Sequence, residues 1–245
     1  MKKKFFWFLP IFLITLLLFA ACEEDGSTEN GGSSIEEGDQ RDEDYDTEAV
    51  LVTVNGDEIT QGHYDMYILQ LKNLYEAQHG MNLDDPQHSD VAAELQVRAM
   101  NDLIEQRALV QRSRELNLSV SSSFVEEQIQ GIIRQQGGQT AFETFLENRE
   151  LTQEDLETLI EEDYLISKLY DEELRLDEIT YEEEELTVLY ERFVAQREDM
   201  GREPEPFEEV EEDLVQSLLQ RLRHEKQQTY IENLIDGSDI EYFYN

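Results

Sequence analysis

The chain has 245 residues, with 19 Lys and Arg against 58 Asp and Glu, a formal net charge of −39. Such acidity excludes nucleic acid as a partner, because phosphate binding needs clustered cations. A single cysteine excludes an internal disulfide and any zinc site built on several thiolates. The four histidines, at 63, 79, 88 and 224, form no HExxH or similar ligand set, and GxxxxGK[ST] is absent, so no metal, nucleotide or other cofactor is expected. The apolar fraction of 39% still permits a core if the 11 Phe, 11 Tyr and the aliphatic residues share one face of each element.

The first 21 residues read as a signal. Lys2, Lys3 and Lys4 precede an apolar run from Phe5 to Phe19, and Ala20 and Ala21 are small. The run is short for a stable transmembrane helix. Leu18-Phe19-Ala20-Ala21-Cys22 resembles the lipobox of bacterial lipoproteins. That resemblance implies cleavage before Cys22, a diacylglyceryl group on its sulfur and a membrane anchored through lipid. The processed chain would carry 16 Lys and Arg against 58 acids, a net −42. Residues 22–48 are acidic, rich in Gly and Ser and nearly free of apolar side chains, so they read as a disordered tether. Asp42, Asp44 and Asp46 alternate like the start of a calcium loop, but Thr47 and Thr53 stand where that loop needs Gly and Glu.

A folded body is expected from Ala49. Val50 to Val54 has strand composition, Asn55-Gly56 is a tight-turn signal, and Thr60 is a helix cap. The first helix is expected from Thr60 to His79, with Tyr64, Tyr67, Ile68, Leu71 and Tyr75 on one broad face. His63, in its first turn, reads as a surface residue. A loop follows from Gly80 to Ser89, then a second helix to about Leu116 with a stripe at Ala99, Leu103, Ile104 and Ala108. A third helix is capped within Ser119–Ser123 and ends at Gly137-Gly138; a short one spans Ala141 to Asn148. Thr152 opens a fifth, with capping-box spacing to Asp155, continuing to about Leu176. The sixth is expected from Thr180 to about Met200, with Leu186, Leu189, Tyr190 and Phe193 as its stripe. Pro204 and Pro206 break it, and a long last helix runs from Phe207 to near Gly237. Arg221 to Lys226 holds a basic run, His224 included, suited to pairing with acidic neighbours one turn away. Ile240 to Tyr244 reads as a strand, and its natural partner is Val50–Val54, which would join the two ends of the body.

The order of these pieces resembles the SurA/PrsA group of extracytoplasmic folding factors. Val52-Thr53-Val54-Asn55-Gly56-Asp57-Glu58-Ile59-Thr60 is similar to that group's opening V-x-V-N-G-x-x-I-[ST]. Leu103-Ile104-Glu105-Gln106-Arg107-Ala108-Leu109 is similar to its L-I-x-x-x-L-L helix. Asn117-Leu118-Ser119-Val120-Ser121 is similar to its break, with Asn117 in place of Gly. Leu151-Thr152-Gln153-Glu154-Asp155-Leu156, Tyr164 to Leu169, Pro206 to Val210 and Ile240-Glu241 match the later pieces. The resemblance covers about 49–243. It implies a mostly helical SurA N-terminal-like chaperone module, with a small β element joining the N-terminal hairpin and the C-terminal strand. The group splits this module around an inserted parvulin prolyl-isomerase domain. Here 49–176 corresponds to the N-terminal helical part, 177–206 to a short linker in place of the insert, and 207–245 to the returning helix and strand. Thirty residues with no strand pattern and no His cannot build an isomerase domain. No catalytic residue is therefore assigned, and an enzyme is not expected.

The expected function is that of a lipoprotein on the outer face of a bacterial cytoplasmic membrane. It would bind unfolded or partly folded secreted proteins without ATP, through apolar helical surface. Tyr64, Tyr67, Tyr75, Tyr190 and Phe193 are the candidate client contacts, though an amphipathic stripe ordinarily faces a core and each of the five also suits one. A prolyl isomerase and an envelope scaffold are the alternatives, and a homodimer is open. Acidity on every helix suits a saline or alkaline medium better than one dedicated patch.

Overall fold

The computed structural model describes residues 46–149 and 151–243; the signal, Cys22 and the tether as far as residue 45 lie outside them, as does Tyr244. Strand β1 (Val50–Val54) and strand β2 (Asp57–Thr60) form the expected hairpin, pairing Val54 with Asp57 and Val52 with Ile59. Asn55 at φ 50° and Gly56 at φ 87° are both left-handed, as a two-residue turn of the hairpin type requires. Strand β3 (Ile240–Tyr242) runs antiparallel on the other side of β1, with Val54 opposite Ile240 and Val52 opposite Tyr242. The order is β2-β1-β3, so the two ends of the body meet in one sheet, as the sequence predicts. Val52, Val54 and Ile59 are 0–1% exposed and form its covered side.

Asn55 fastens this junction. Its Nδ2 donates to Gln111 Oε1 at 2.9 Å and Ser238 Oγ at 3.3 Å, and its Oδ1 accepts from the Asp239 amide at 2.8 Å. Gln111 in turn donates to the Val54 carbonyl at 2.7 Å.

Seven α-helices follow among the described residues: α1 (Gln61–His79), α2 (Ser89–Glu115), α3 (Ser122–Gln136), α4 (Gln139–Glu147), α5 (Gln153–Leu169), α6 (Glu183–Asp199) and α7 (Phe207–Asp236). Thr60 caps α1, with His63 in the reciprocal position usually held by Glu or Gln. The Thr152–Asp155 box caps α5: the Asp155 amide donates to Thr152 Oγ1 at 3.1 Å, and the Thr152 amide donates to Asp155 Oδ2 at 2.8 Å. Asn117 has φ 57°; its amide donates to the Arg114 carbonyl, and that of Leu118 to the Ser113 carbonyl, a Schellman closure of α2. Asn tolerates the left-handed conformation better than most residues, which explains how it replaces Gly there.

The fifth helix is shorter than its apolar pattern suggests. It is α-helical only to Leu169; Tyr170–Leu174 form a π turn, Arg175 is left-handed at φ 45°, and Leu176–Glu178 form a 3-10 turn. In an unbroken helix Leu176 would stand about 240° around the axis from Tyr170. The break allows Tyr170, Leu174 and Leu176 all to be buried. The sixth helix begins at Glu183 rather than Thr180, because Glu182 is extended and forms a capping box with Glu185. The short fourth helix begins two residues earlier than expected, at Gln139.

The chain divides into two compact units, one reaching to Ile166 and resuming at Ser238, the other Ser167–Gly237. The first contains two of the apolar clusters found among the described residues. Leu71, Leu83, Leu95 and Ala99 join α1 to α2; Ile129, Ile132, Phe142, Phe145, Leu156 and Ile160 join α3, α4 and α5. The second is centred on α6 and α7, where Leu186, Leu214 and Leu218 are buried under a ring of half-buried apolar residues.

Candidate functional site

The five candidate contacts fall into two groups, one in each unit. Tyr64, Tyr67 and Tyr75 share the α1 face that packs on the Leu71–Ala99 core, and all three are half-buried. The Tyr67 hydroxyl donates to Asp102 Oδ2 at 3.0 Å, while Arg98 stands 3.5 Å from the same oxygen. Burial and the adjacent Asp102 carboxylate push the Tyr67 hydroxyl well above its ordinary range. Burial also raises the carboxyls of Asp102 and Glu105 on the facing side of α2. Tyr64 reaches the Gln96 carbonyl at 3.4 Å, and Tyr75 lies 4.2 Å, ring to ring, from His79.

Tyr190 and Phe193 sit one turn apart on α6, with ring centroids 6.2 Å apart. Phe207, the first residue of α7, meets Tyr190 edge-on at 5.2 Å. The Tyr190 hydroxyl donates to the Glu205 carbonyl at 3.1 Å, and Arg197 lies over Phe193 at 5.1 Å while bonding Glu205 at 2.9 Å. Both aromatics are half-buried. Each group thus offers aromatic surface that is anchored by its own core and only partly covered. Rigid aromatics of this kind give apolar contact area at small entropic cost.

Other residues carry features that the motifs do not show. Asp163 lies on the apolar stripe of α5, three residues from both Ile160 and Ile166, and burial pushes its carboxyl up to about 7. That placement was legible from the helical spacing alone. Gln70 is 6% exposed, and both of its amide atoms lack a hydrogen-bond partner among the described residues. His63, beyond its capping role, is pushed down by burial and by Arg107. Arg221 pairs with Glu225 one turn on at 3.6 Å, as the sequence predicts. Among the described residues no group of His, Cys, Asp and Glu is arranged to hold a metal, and no helix is long and apolar enough to cross a membrane.

The fold is a helical module closed by a sheet that joins its two ends, with half-buried aromatics on its helices. The family model for the SurA-like N-terminal domain matches residues 1–170, more than half of the chain, and the chain belongs to that family. Membership supports a chaperone-type role outside the cytoplasm. Among solved structures the chain is similar to one from work on the virulence factor PEB4 and the periplasmic protein Cj1289, two structurally related SurA-like chaperones of Campylobacter jejuni. That likeness is 12% in identity, with a TM-score of 0.48, and covers 80% of this chain and all of the other. No curated protein matches the chain.

Proposed function

We propose that this protein is a lipid-anchored, ATP-independent chaperone that holds unfolded secreted polypeptides on the outer face of the bacterial cytoplasmic membrane. The family match over residues 1–170 carries this reading. Cys22 bears the anchor, 22–48 acts as the tether, and 49–245 forms the client-binding body. Within that body 177–206 stands in place of an isomerase insert, so binding proceeds without catalysis of proline isomerisation. Tyr64, Tyr67 and Tyr75 on one unit, and Tyr190 and Phe193 on the other, contribute apolar contacts. Their half-burial supports this: fully buried rings would have no surface to offer, and fully exposed ones would promote self-association. The charge of −39 supports it too, since strong net charge keeps a protein soluble while apolar surface is open.

Two assays on the purified protein test the reading together. One follows aggregation of a reduced, unfolded model protein; the other follows cis-to-trans conversion of a proline peptide. Suppressed aggregation without isomerase activity is expected. An isomerase signal would overturn the assignment of 177–206, and the absence of both activities would favour a scaffold with a dedicated partner. Replacing Tyr190 and Phe193 together by Ser should weaken suppression severalfold while circular dichroism retains the helical signal.

A further inference from the structure

The second unit is strongly acidic, with 22 Asp and Glu against 8 Lys and Arg between residues 167 and 237. Three of its eight cations nevertheless fall within six residues of α7: Arg221, Arg223 and Lys226. Arg221 has Glu225 beside it, whereas Arg223 Nε donates to the Leu176 carbonyl at 3.0 Å and Lys226 Nζ to the Leu174 carbonyl at 2.6 Å. These carbonyls belong to the broken end of α5, where helical partners run out. Lys226 is thereby fixed in place using one of the three N–H donors of its ammonium. No carboxylate lies within ion-pair distance of it among the described residues.

Lys226 also lines a shallow, open cavity of about 460 Å³ between α7 and the π turn. Leu174 and Leu222 give it an apolar floor, Thr229, Tyr230 and Asn233 give it a polar wall, and Glu225, whose carboxylate lies 3.6 Å from Arg221, also lines it. Asn233 Nδ2 is engaged with the Thr229 carbonyl at 2.7 Å, which leaves its Oδ1 to accept a hydrogen bond. A cation, an apolar floor and amide-type partners within one cavity match a carboxylate borne next to an apolar side chain on a peptide backbone.

We propose that this cavity captures the C-terminal end of an unfolded polypeptide. The terminal carboxylate meets the Lys226 ammonium, the last side chain covers Leu174 and Leu222, and the backbone lies along Thr229 and Asn233. The proposal rests on the chaperone reading above and specifies one part of the client that it grips. A single terminal charge on a neutral segment suits the site, because the surrounding acidic surface disfavours segments with many carboxylates. A fatty acid fits less well, since its alkyl chain would leave Thr229 and Asn233 without polar partners.

The test measures binding of the full chain to a fluorescently labelled tetrapeptide ending in Ala-Leu, as the free acid and as the C-terminal amide. The free acid should bind at least about tenfold more tightly, and Lys226→Met should bring it to the level of the amide. Thr229→Trp, which fills the cavity but spares the Lys226–Leu174 bond, should do the same with the helical signal unchanged. Equal affinity for acid and amide, or binding of neither, overturns the proposal. So does displacement of the peptide by laurate at concentrations below those of the unlabelled peptide, which assigns the site to a fatty acid. Aggregation suppression separates the two readings: if it persists without carboxylate preference, the chaperone reading stands and this one falls. A preference without suppression has the opposite meaning.

Discussion

The two compact units solve the same problem with different means. The first closes over long sequence distances: β1, near residue 50, pairs with β3, near residue 241, and Asn55 bonds Ser238 and the Asp239 amide. Its α3–α5 core alone contains nine buried apolar residues. The second centres on a hairpin of consecutive helices, α6 and α7, with Leu186, Leu214 and Leu218 as its buried seam and eight half-buried apolar residues around it. The α6–α7 seam, with only three buried residues, depends strongly on each of them. A unit made of local contacts also forms quickly, whereas one that must join its ends incurs loop-closure entropy first. The comparison teaches that closure over long sequence distances and a local helix hairpin can each seat a buried cluster. Tyr190 and Phe193 lie half-buried beside the α6–α7 seam.

The sharpest way to break the comparison is a matched pair of substitutions. Leu156→Ala and Leu218→Ala each empty a site that is 0–1% exposed, and each should cost about 2–5 kcal/mol. Hydrogen exchange should distinguish them. Leu218→Ala should release the α6–α7 amides while β1 remains protected; Leu156→Ala should loosen α3–α5 first. Equal loss of protection throughout the chain in both variants would mean that the units unfold as one.

Asn55→Ala probes the long-range closure. It loses the three side-chain bonds and places Ala in a left-handed conformation, at a cost of about 1–3 kcal/mol in a urea titration. Asn55→Gly keeps the backbone comfortable and should lose less. If Gly costs as much as Ala, the side-chain bonds and not the turn dominate.

The smallest effect is a slope. The Asp163 carboxyl, raised by burial to about 7, favours the protonated form in the folded chain. The unfolded chain ionises it near the ordinary aspartate value of about 4. Its contribution to stability is therefore present at low pH and lost as pH rises from about 4 through about 7. Asp102 and Glu105, also raised, act in the same direction. Asp163→Asn should flatten that part of the stability–pH curve, read from urea midpoints at half-unit steps. An unchanged slope would show that Asp163 is solvated in solution.

Local chemistry made much of this molecule legible. Asn55-Gly56, the Thr60 cap, the Thr152–Asp155 box and the Pro204–Pro206 break each act over a few residues, and each is found where the pattern places it. Pairing of the two terminal strands was also legible, because one unpaired strand leaves only one partner that can satisfy its backbone. The five aromatic candidates were legible as a stripe, but a stripe does not show how much of each ring stays open.

The sequence by itself determined the helical class, the family and the elements whose signals are local, since caps, turns and periodicity depend on near neighbours. Only the tertiary structure decided where α5 stops, because helical periodicity continues through Tyr170 and Leu174 while the burial of Leu176 requires a break. Tertiary packing also decided that Lys226 and Arg223 reach the carbonyls of the broken end. Those outcomes depend on which residues distant in sequence reach the same volume, and no local pattern encodes that.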